Sequence, residues 1–442
     1  MRFLGRTGSA LFAAFILLLD LGCGTQYRPV ANPVVGPGGQ PQSRHYAYVV
    51  NYNPIGDGST TQIDVSGDSV TQLQTTGLGS NYESFLSTSA AAVFVTNGGA
   101  DTVSEFNVSQ TGVVTTINLP IGSHPVALSS TQAGVMYVLN SQPNLACPNS
   151  GSISTISTTT LAVSNTACLF QPPPAIFCGG VNPIAMVQAP GGGRIFVINQ
   201  GDNSVCVYDP SSQSIVATFT TQANKLGLNA VYLVPSADGS YIFVVTQGDK
   251  VNPPANPPAL DIIATNNLFG VLPSVPLGVS PSFATLDPNL NRLYVTNSGD
   301  STVSVLDASN VNVKASPPIP PIPSLANPPV SVGAGAVPIG VTPLANGTLF
   351  YVVNAGNNSV SVVSATSFQV LMTIALPAGS NPVWIASDPT SSKVFVANQG
   401  TSSTTIIQTV NNAIASSTQS PAQDPNCTSS CALQQPVMII TN

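Results

Sequence analysis

The groups with which this chain of 442 residues could do chemistry are few: seven Cys, two His and 17 Asp or Glu. Cys23 closes an apolar N-terminal run. Cys147, Cys168, Cys178 and Cys206 share one stretch, and Cys427 and Cys431 lie close together in a polar tail. The six beyond Cys23 make an even set, which in an exported chain reads as a disulfide framework. Cys427 and Cys431 are expected to pair, and the other four to pair among themselves. Zinc would need further paired cysteines or a nearby His. Neither is present, so no metal site is expected.

Asp101, Asp202, Asp249 and Asp300 recur after similar Gly-containing turns and would form part of a ring of carboxylates. Calcium needs six to eight oxygens, and successive repeats hold these groups too far apart to share one ion. Turn capping is the simpler role, and the four stand as ligand-face candidates. His124, just before Pro125, is a fifth. A lone His without an orienting carboxylate or a nucleophile is a poor base, so no catalytic residue and no cofactor is expected.

A repeated unit must position these residues. Its clearest copy, residues 291–307, reads NRLYVTNSGDSTVSVLD. A short apolar run, LYVTN, leads through a Gly-Asp turn into an alternating run, TVSVLD, whose period of two fits a half-buried strand. The last residues of the YVTN-like runs are Asn51, Asn97, Asn140, Asn199, Thr246, Asn297, Asn354 and Asn398, at spacings of 46, 43, 59, 47, 51, 57 and 44 residues. Four-stranded propeller blades take about 40–50 residues. Many copies open with a Pro-led strand, such as PIAMV from Pro183 or PVWIAS from Pro382, and close with a weaker one, such as VLMTIAL from Val370. The first copy lacks its Pro-led strand, and the chain ends QQPVMIITN, a Pro-led strand with no unit after it. Residues 437–441 would therefore complete the first blade and remove two open sheet edges. The expected fold is all-β, one closed propeller over residues 45–442. Eight blades are counted, or seven if the Pro-rich unit around residues 251–265 is degenerate.

These copies resemble the YVTN-type β-propeller repeats of bacterial and archaeal surface proteins, within the wider YncE-like and lactonase-like group. The resemblance spans residues 46–441. It implies the fold, and it leaves two functions open: a cell-envelope binding or scaffold protein, or a hydrolase acting on a sugar lactone at the channel mouth. Lactonase chemistry would need charged and polar side chains in the central channel, and none is matched position by position.

Strand alternation puts the second-to-third and fourth-to-next-first connections on one face of the disc. The long insertions at residues 52–60, 141–151, 168–182, 248–259 and 314–337 are all expected there. Loops on a rigid scaffold carry binding, so this is the expected binding face, with an envelope protein or glycan as partner. Arg194 and Arg292 begin strands at the opposite face, and Trp384 lies on an innermost strand as a packed aromatic.

Residues 1–22 read as a secretory signal, with Arg2 and Arg6 before an apolar segment too short for a comfortable membrane span. The following Cys23 resembles the lipidated Cys of bacterial lipoproteins, and residues 23–44 make a Pro/Gly-rich tether. The expected location is the cell envelope, with a lipid anchor to the membrane and a monomeric propeller beyond it. Charged residues are only 6% of the chain and net charge is −7. No basic cluster could track phosphates, which argues against nucleic acid.

Overall fold

The computed structural model describes residues 46–52, 58–65, 69–78, 85–89, 92–107, 114–129, 134–170, 178–191, 193–221, 226–249, 255–268, 270–314, 321–419 and 435–441. Cys23, Cys427, Cys431 and the N-terminal expectations lie outside them. Within residues 45–442 the strands form eight antiparallel sheets of four. The sheets stand in a ring, each packing its innermost strand beside those of its neighbours. It is an eight-bladed β-propeller. The only helical segment among the described residues is one 3-10 turn, Gly98–Ala100.

Each blade follows the pattern read from the repeat. In blade 6 the strands are Pro281–Asp287, Arg292–Asn297, Thr302–Asp307 and Val330–Ser331, from the axis outward. The Pro-led strand is innermost, the YVTN-like strand second and the alternating strand third. Pro suits the first position because it has no N–H to give to a ladder. A β-bulge follows it wherever the pairing is described, as between Pro183 and Ala185 or Pro382 and Trp384.

The second and third strands are buried along almost their whole length because both of their faces meet neighbouring blades. Phe196, Ile198, Val205 and Val207 of blade 4 pack with Leu233, Ile242 and Val244 of blade 5. Tyr294 of blade 6 meets Phe350 of blade 7 at 4.7 Å between ring centroids. Burying such a side chain is worth about 1.5–3 kcal/mol, and the repeat supplies several at every junction. This is how a chain with so few charges holds a ring together without one central core.

Closure occurs through the tail. Gln435–Thr441 pairs antiparallel with Tyr46–Tyr52 and becomes the innermost strand of blade 1. Ile439 packs with Phe395 and Ile406 of blade 8, and Met438 with Val93 and Val95 of blade 2. The Pro-rich unit around residues 251–265 is a full blade, with strands Ala230–Pro235, Tyr241–Thr246, Ala259–Ala264 and Val271–Pro276.

One insertion falls elsewhere than the sequence led us to expect. Most of residues 314–337 precede the fourth strand of blade 6, not the next blade. The chain leaves the third strand after Asp307, makes its excursion at the opposite face, and returns with Ser324 bridged to Leu306. The other four insertions join second to third strands or lead into a new blade, as expected.

Candidate binding face

The face carrying those four insertions is built from two turns that recur in each blade. One enters the blade with the pattern G-x-x-P, as in residues 122–125, 180–183, 278–281, 335–338 and 379–382. The residue before the first strand takes a positive φ: His124 (+47°), Asn182 (+48°), Asn229 (+56°), Ser280 (+51°), Val337 (+50°) and Asn381 (+41°). The other turn joins the second and third strands. Its backbone N–H groups donate to the first turn, Gln200 to Asn182 at 3.0 Å and Gly201 to Val181 at 3.0 Å, with Ser298 to Ser280 and Gly299 to Val279 repeating the pair. The approach is close enough to require glycine. A Cβ at Gly201 would lie 2.9 Å from the Val181 carbonyl oxygen, and one at Gly299 3.0 Å from that of Val279.

An Asn ends the second strand of every blade but the fifth, which has Thr246, and it is fully buried. Its Nδ2 donates to two side chains on the third strand: Asn297 to Thr302 (3.0 Å) and Ser304 (3.0 Å), Asn354 to Ser359 (3.1 Å) and Ser361 (2.9 Å). Asn51, Asn97, Asn140 and Asn398 repeat this on hydroxyls, and Asn199 uses Ser204 and the Cys206 sulfur. The Asn therefore clamps the second strand to the third, a longer reach than closing its own turn. The signal was present as N-x4-[ST]-x-[ST] in four blades, at Asn97, Asn297, Asn354 and Asn398.

The four carboxylates named from the sequence do not share one register. Asp202, Asp249 and Asp300 lie three residues after the strand-ending position, and Asp101 four. Asp202 accepts from the Ser204 hydroxyl at 2.6 Å and Asp300 from the Thr302 hydroxyl at 2.7 Å, each bracing its own turn, and Asp300 also accepts from the Val279 N–H at 2.9 Å in the loop entering its own blade. Asp249 accepts from the Asn256 N–H at 2.9 Å and closes its own loop. Asp101 reaches the next blade instead, accepting from the N–H groups of Gly122 (2.7 Å) and His124 (2.8 Å). Asn203 does the same for Asn229 at 2.6 Å and Asn358 for Asn381 at 2.7 Å. This series is a clasp between blades. His124 enters it through its backbone, and its carbonyl also accepts from the Ser141 N–H at 3.0 Å.

The four central cysteines pair among themselves, as expected. Cys147–Cys168 ties the loop over residues 141–151 to the outer strand of blade 3, and Cys178–Cys206 ties the loop entering blade 4 to that blade's third strand. Asn144 stiffens the first loop further, donating to Ser123 and Ser152 and accepting from the N–H groups of Ala146 and Cys147. From this braced region Ile121 (74% exposed), Leu145 (81%) and Val181 (48%) project, with Val279 (54%) farther round the ring. Leu145 N–H donates to the Ile121 carbonyl at 3.4 Å, which sets those two side by side. These apolar residues were not singled out from the sequence, although an apolar residue inside a Gly/Pro loop that no strand claims was available as a signal.

The channel differs in character. Tyr232, Phe283 and Trp384 come from the innermost strands of blades 5, 6 and 8. Phe283 lies 4.9 Å from Tyr232 and 6.0 Å from Trp384, centroid to centroid. Trp384 is thus a packed aromatic facing the axis. Arg194 and Arg292 lie at the opposite face and join blades there, donating to the carbonyls of Thr265 (2.8 Å) and Ala365 respectively. Among the described residues no cluster of three or more His, Cys, Asp or Glu could hold a metal ion.

No protein-family model matches the chain, and no curated protein matches it. Solved structures do. The fold is similar over 98% of this chain to 86% of dihydro-heme d1 dehydrogenase NirN in complex with DHE, at 12% identity and a TM-score of 0.61. Apo AztD from Citrobacter koseri is similar over 90% of this chain and 98% of its own, at 11% identity and a TM-score of 0.58. A 6-phosphogluconolactonase-like protein from Bacteroides fragilis is similar over 91% of this chain and 98% of its own, at 11% identity and a TM-score of 0.51. At such identities the likeness is one of fold.

Proposed function

We propose that this is a non-catalytic binding or scaffold protein of the cell envelope, using its long-loop face to hold a protein or glycan. The observation that carries the reading is the set Ile121, Leu145 and Val181: the last two are exposed on loops that two disulfides pin to the ring, and Ile121 is held beside Leu145 by a backbone hydrogen bond. Apolar side chains on preorganised loops lose little freedom on binding, and contiguous exposed apolar surface marks interaction sites. The two disulfides fit an oxidising compartment. Among the described residues no helix is long and apolar enough to cross a membrane. Export by residues 1–22 and anchoring by lipid on Cys23 complete the proposal, with the propeller acting as a monomer.

The test compares the protein with an Ile121→Ser/Leu145→Ser/Val181→Ser variant for retention of envelope proteins and glycans. The variant should fold and lose retention; equal retention by both would remove the reading. A lactonase-like activity, the second possibility raised by the resemblance, is checked on the same sample with a sugar lactone. The aromatic and aliphatic lining of the inner strands speaks for the binding reading. Radiolabelled palmitate incorporated by the native chain and not by Cys23→Ser would support the anchor.

A further inference from the structure

The misplaced excursion of blade 6 builds something at the face opposite the loops. Two cavities lie there between blades 5 and 6, of about 410 and 380 Å³. They share Ser236, Ala237, Leu286 and Pro288 and so form one trough. Its inner end lies at the channel mouth, against Tyr232 and Ala284 of the innermost strands. Its outer end is walled by Ala308, Ser309 and Val311 at the start of the excursion. Small-molecule sites are typically about 300–1,000 Å³, apolar with a few placed polar groups.

The two ends differ chemically. No charged residue lines the inner end. Tyr232 stands there on the aromatic series that runs through Phe283 to Trp384, and its hydroxyl bonds to no described group. Burial pushes that phenol up to about 12, so it stays a neutral donor. The outer end holds one ionisable acid and no cation. Asp238 accepts through Oδ1 from the Ser236 hydroxyl (2.6 Å) and the Ser240 N–H (3.0 Å), with the Ser240 hydroxyl a further donor to the carboxylate, whose side chain is exposed. Those bonds, the Ser236 hydroxyl first, hold its carboxyl below the usual range. Tyr241 and Asn291 line the same end.

We propose that this trough binds a small amphiphile, its aromatic or alkyl end against Tyr232 and Leu286 and its cationic amino end beside Asp238. An anionic head would meet the carboxylate with no compensating cation, and a charged group at the inner end would be desolvated without a partner. The site is independent of the loop-face reading.

Phenethylamine and 3-phenylpropionate are matched probes, alike in ring and spacer and opposite in charge. Binding is read by saturation-transfer NMR and by fluorescence of Trp384, the single Trp of the chain. The amine should bind saturably and at least about tenfold tighter than the acid, the scale of one lost charge-assisted contact. Asp238→Asn should bring the amine to the level of the acid. Ala237→Trp, at an exposed turn position lining both cavities, should abolish amine binding with the melting curve unchanged. Absence of saturable amine binding, equal binding of the acid, or amine binding that survives Ala237→Trp would overturn the proposal. Should Ala237→Trp alter the melt, loss of competition by excess amine in Asp238→Asn decides alone.

Discussion

The Asn that ends the second strand in every blade but the fifth holds two strands with one amide. Removing it leaves two hydroxyls without a donor and a gap beneath the turns. A buried group left unsatisfied costs about 1–3 kcal/mol. Asn297→Ala should therefore destabilise the protein by about 2–3 kcal/mol, read as a shift of the urea midpoint. Asn297→Ser, too short to reach both partners, should recover little of it. Val337 makes the opposite case. It holds a φ of +50° where three other blades place Asn, and a β-branched residue is an outlier there. The left-handed region costs an ordinary L-residue about 1–2 kcal/mol, and Asn less. Val337→Asn should stabilise by about 1 kcal/mol in the same measurement; a neutral or destabilising result would show that the Val side chain gives more in packing than its backbone loses.

Blade 5 departs from its neighbours at two coupled positions. Thr246 stands for the Asn, and Asp261 stands where the other third strands carry Ser, Thr or, in blade 4, Cys206. Asp261 is fully buried, accepting from the Gly227 N–H at 2.6 Å and the Ser274 hydroxyl at 2.5 Å. Desolvation raises its pKa, and the two hydrogen bonds only partly oppose this. The folded protein therefore holds this proton to higher pH than the unfolded chain does. The linked stability is full below the unfolded carboxyl value, about 3.9, and falls as pH rises through the folded one. Thr246→Asn/Asp261→Ser restores the pair found elsewhere. Its stability relative to the native chain should be greatest at neutral pH and shrink on acidification, as followed by urea unfolding across pH. A pH-independent difference would mean that packing, not ionisation, separates the two.

At this level the sequence was legible where a residue type had one use. The strand-ending Asn, the alternating third strand and the Pro-led first strand gave eight blades and the closing tail. It was least legible in the fourth strand of blade 6. There Val330–Ser331 lies in a Pro-rich run, and prolines remove both the ladder donors and the period of two that mark a strand. Hence residues 314–337 read as one loop on the wrong face. The carboxylates looked like one set because their sequence context is alike. A shift of one residue separates Asp101, which clasps the next blade, from Asp202 and Asp300, which bond within their own blades. The exposed apolar residues of the loop face were visible, but no spacing rule ranks an isolated Val or Leu.

For the whole molecule, the ring is held by eight like junctions, and the two that flank blade 1 depend on the tail. Deleting residues 435–442 would leave Tyr46–Tyr52 an exposed edge and strip Met438 and Ile439 from two interblade cores. The expected outcome is a lower melting temperature and early proteolysis within residues 46–78, read by limited digestion and mass spectrometry. A truncated chain that melts and digests like the parent would mean blade 1 stands on three strands.

That same pairing sets an order of events. A ribosome makes residues 46–52 before the other seven blades and residues 435–441 after them, so the first blade stays unfinished while those are made. The ring can lock only once residues 435–441 have emerged and paired with residues 46–52.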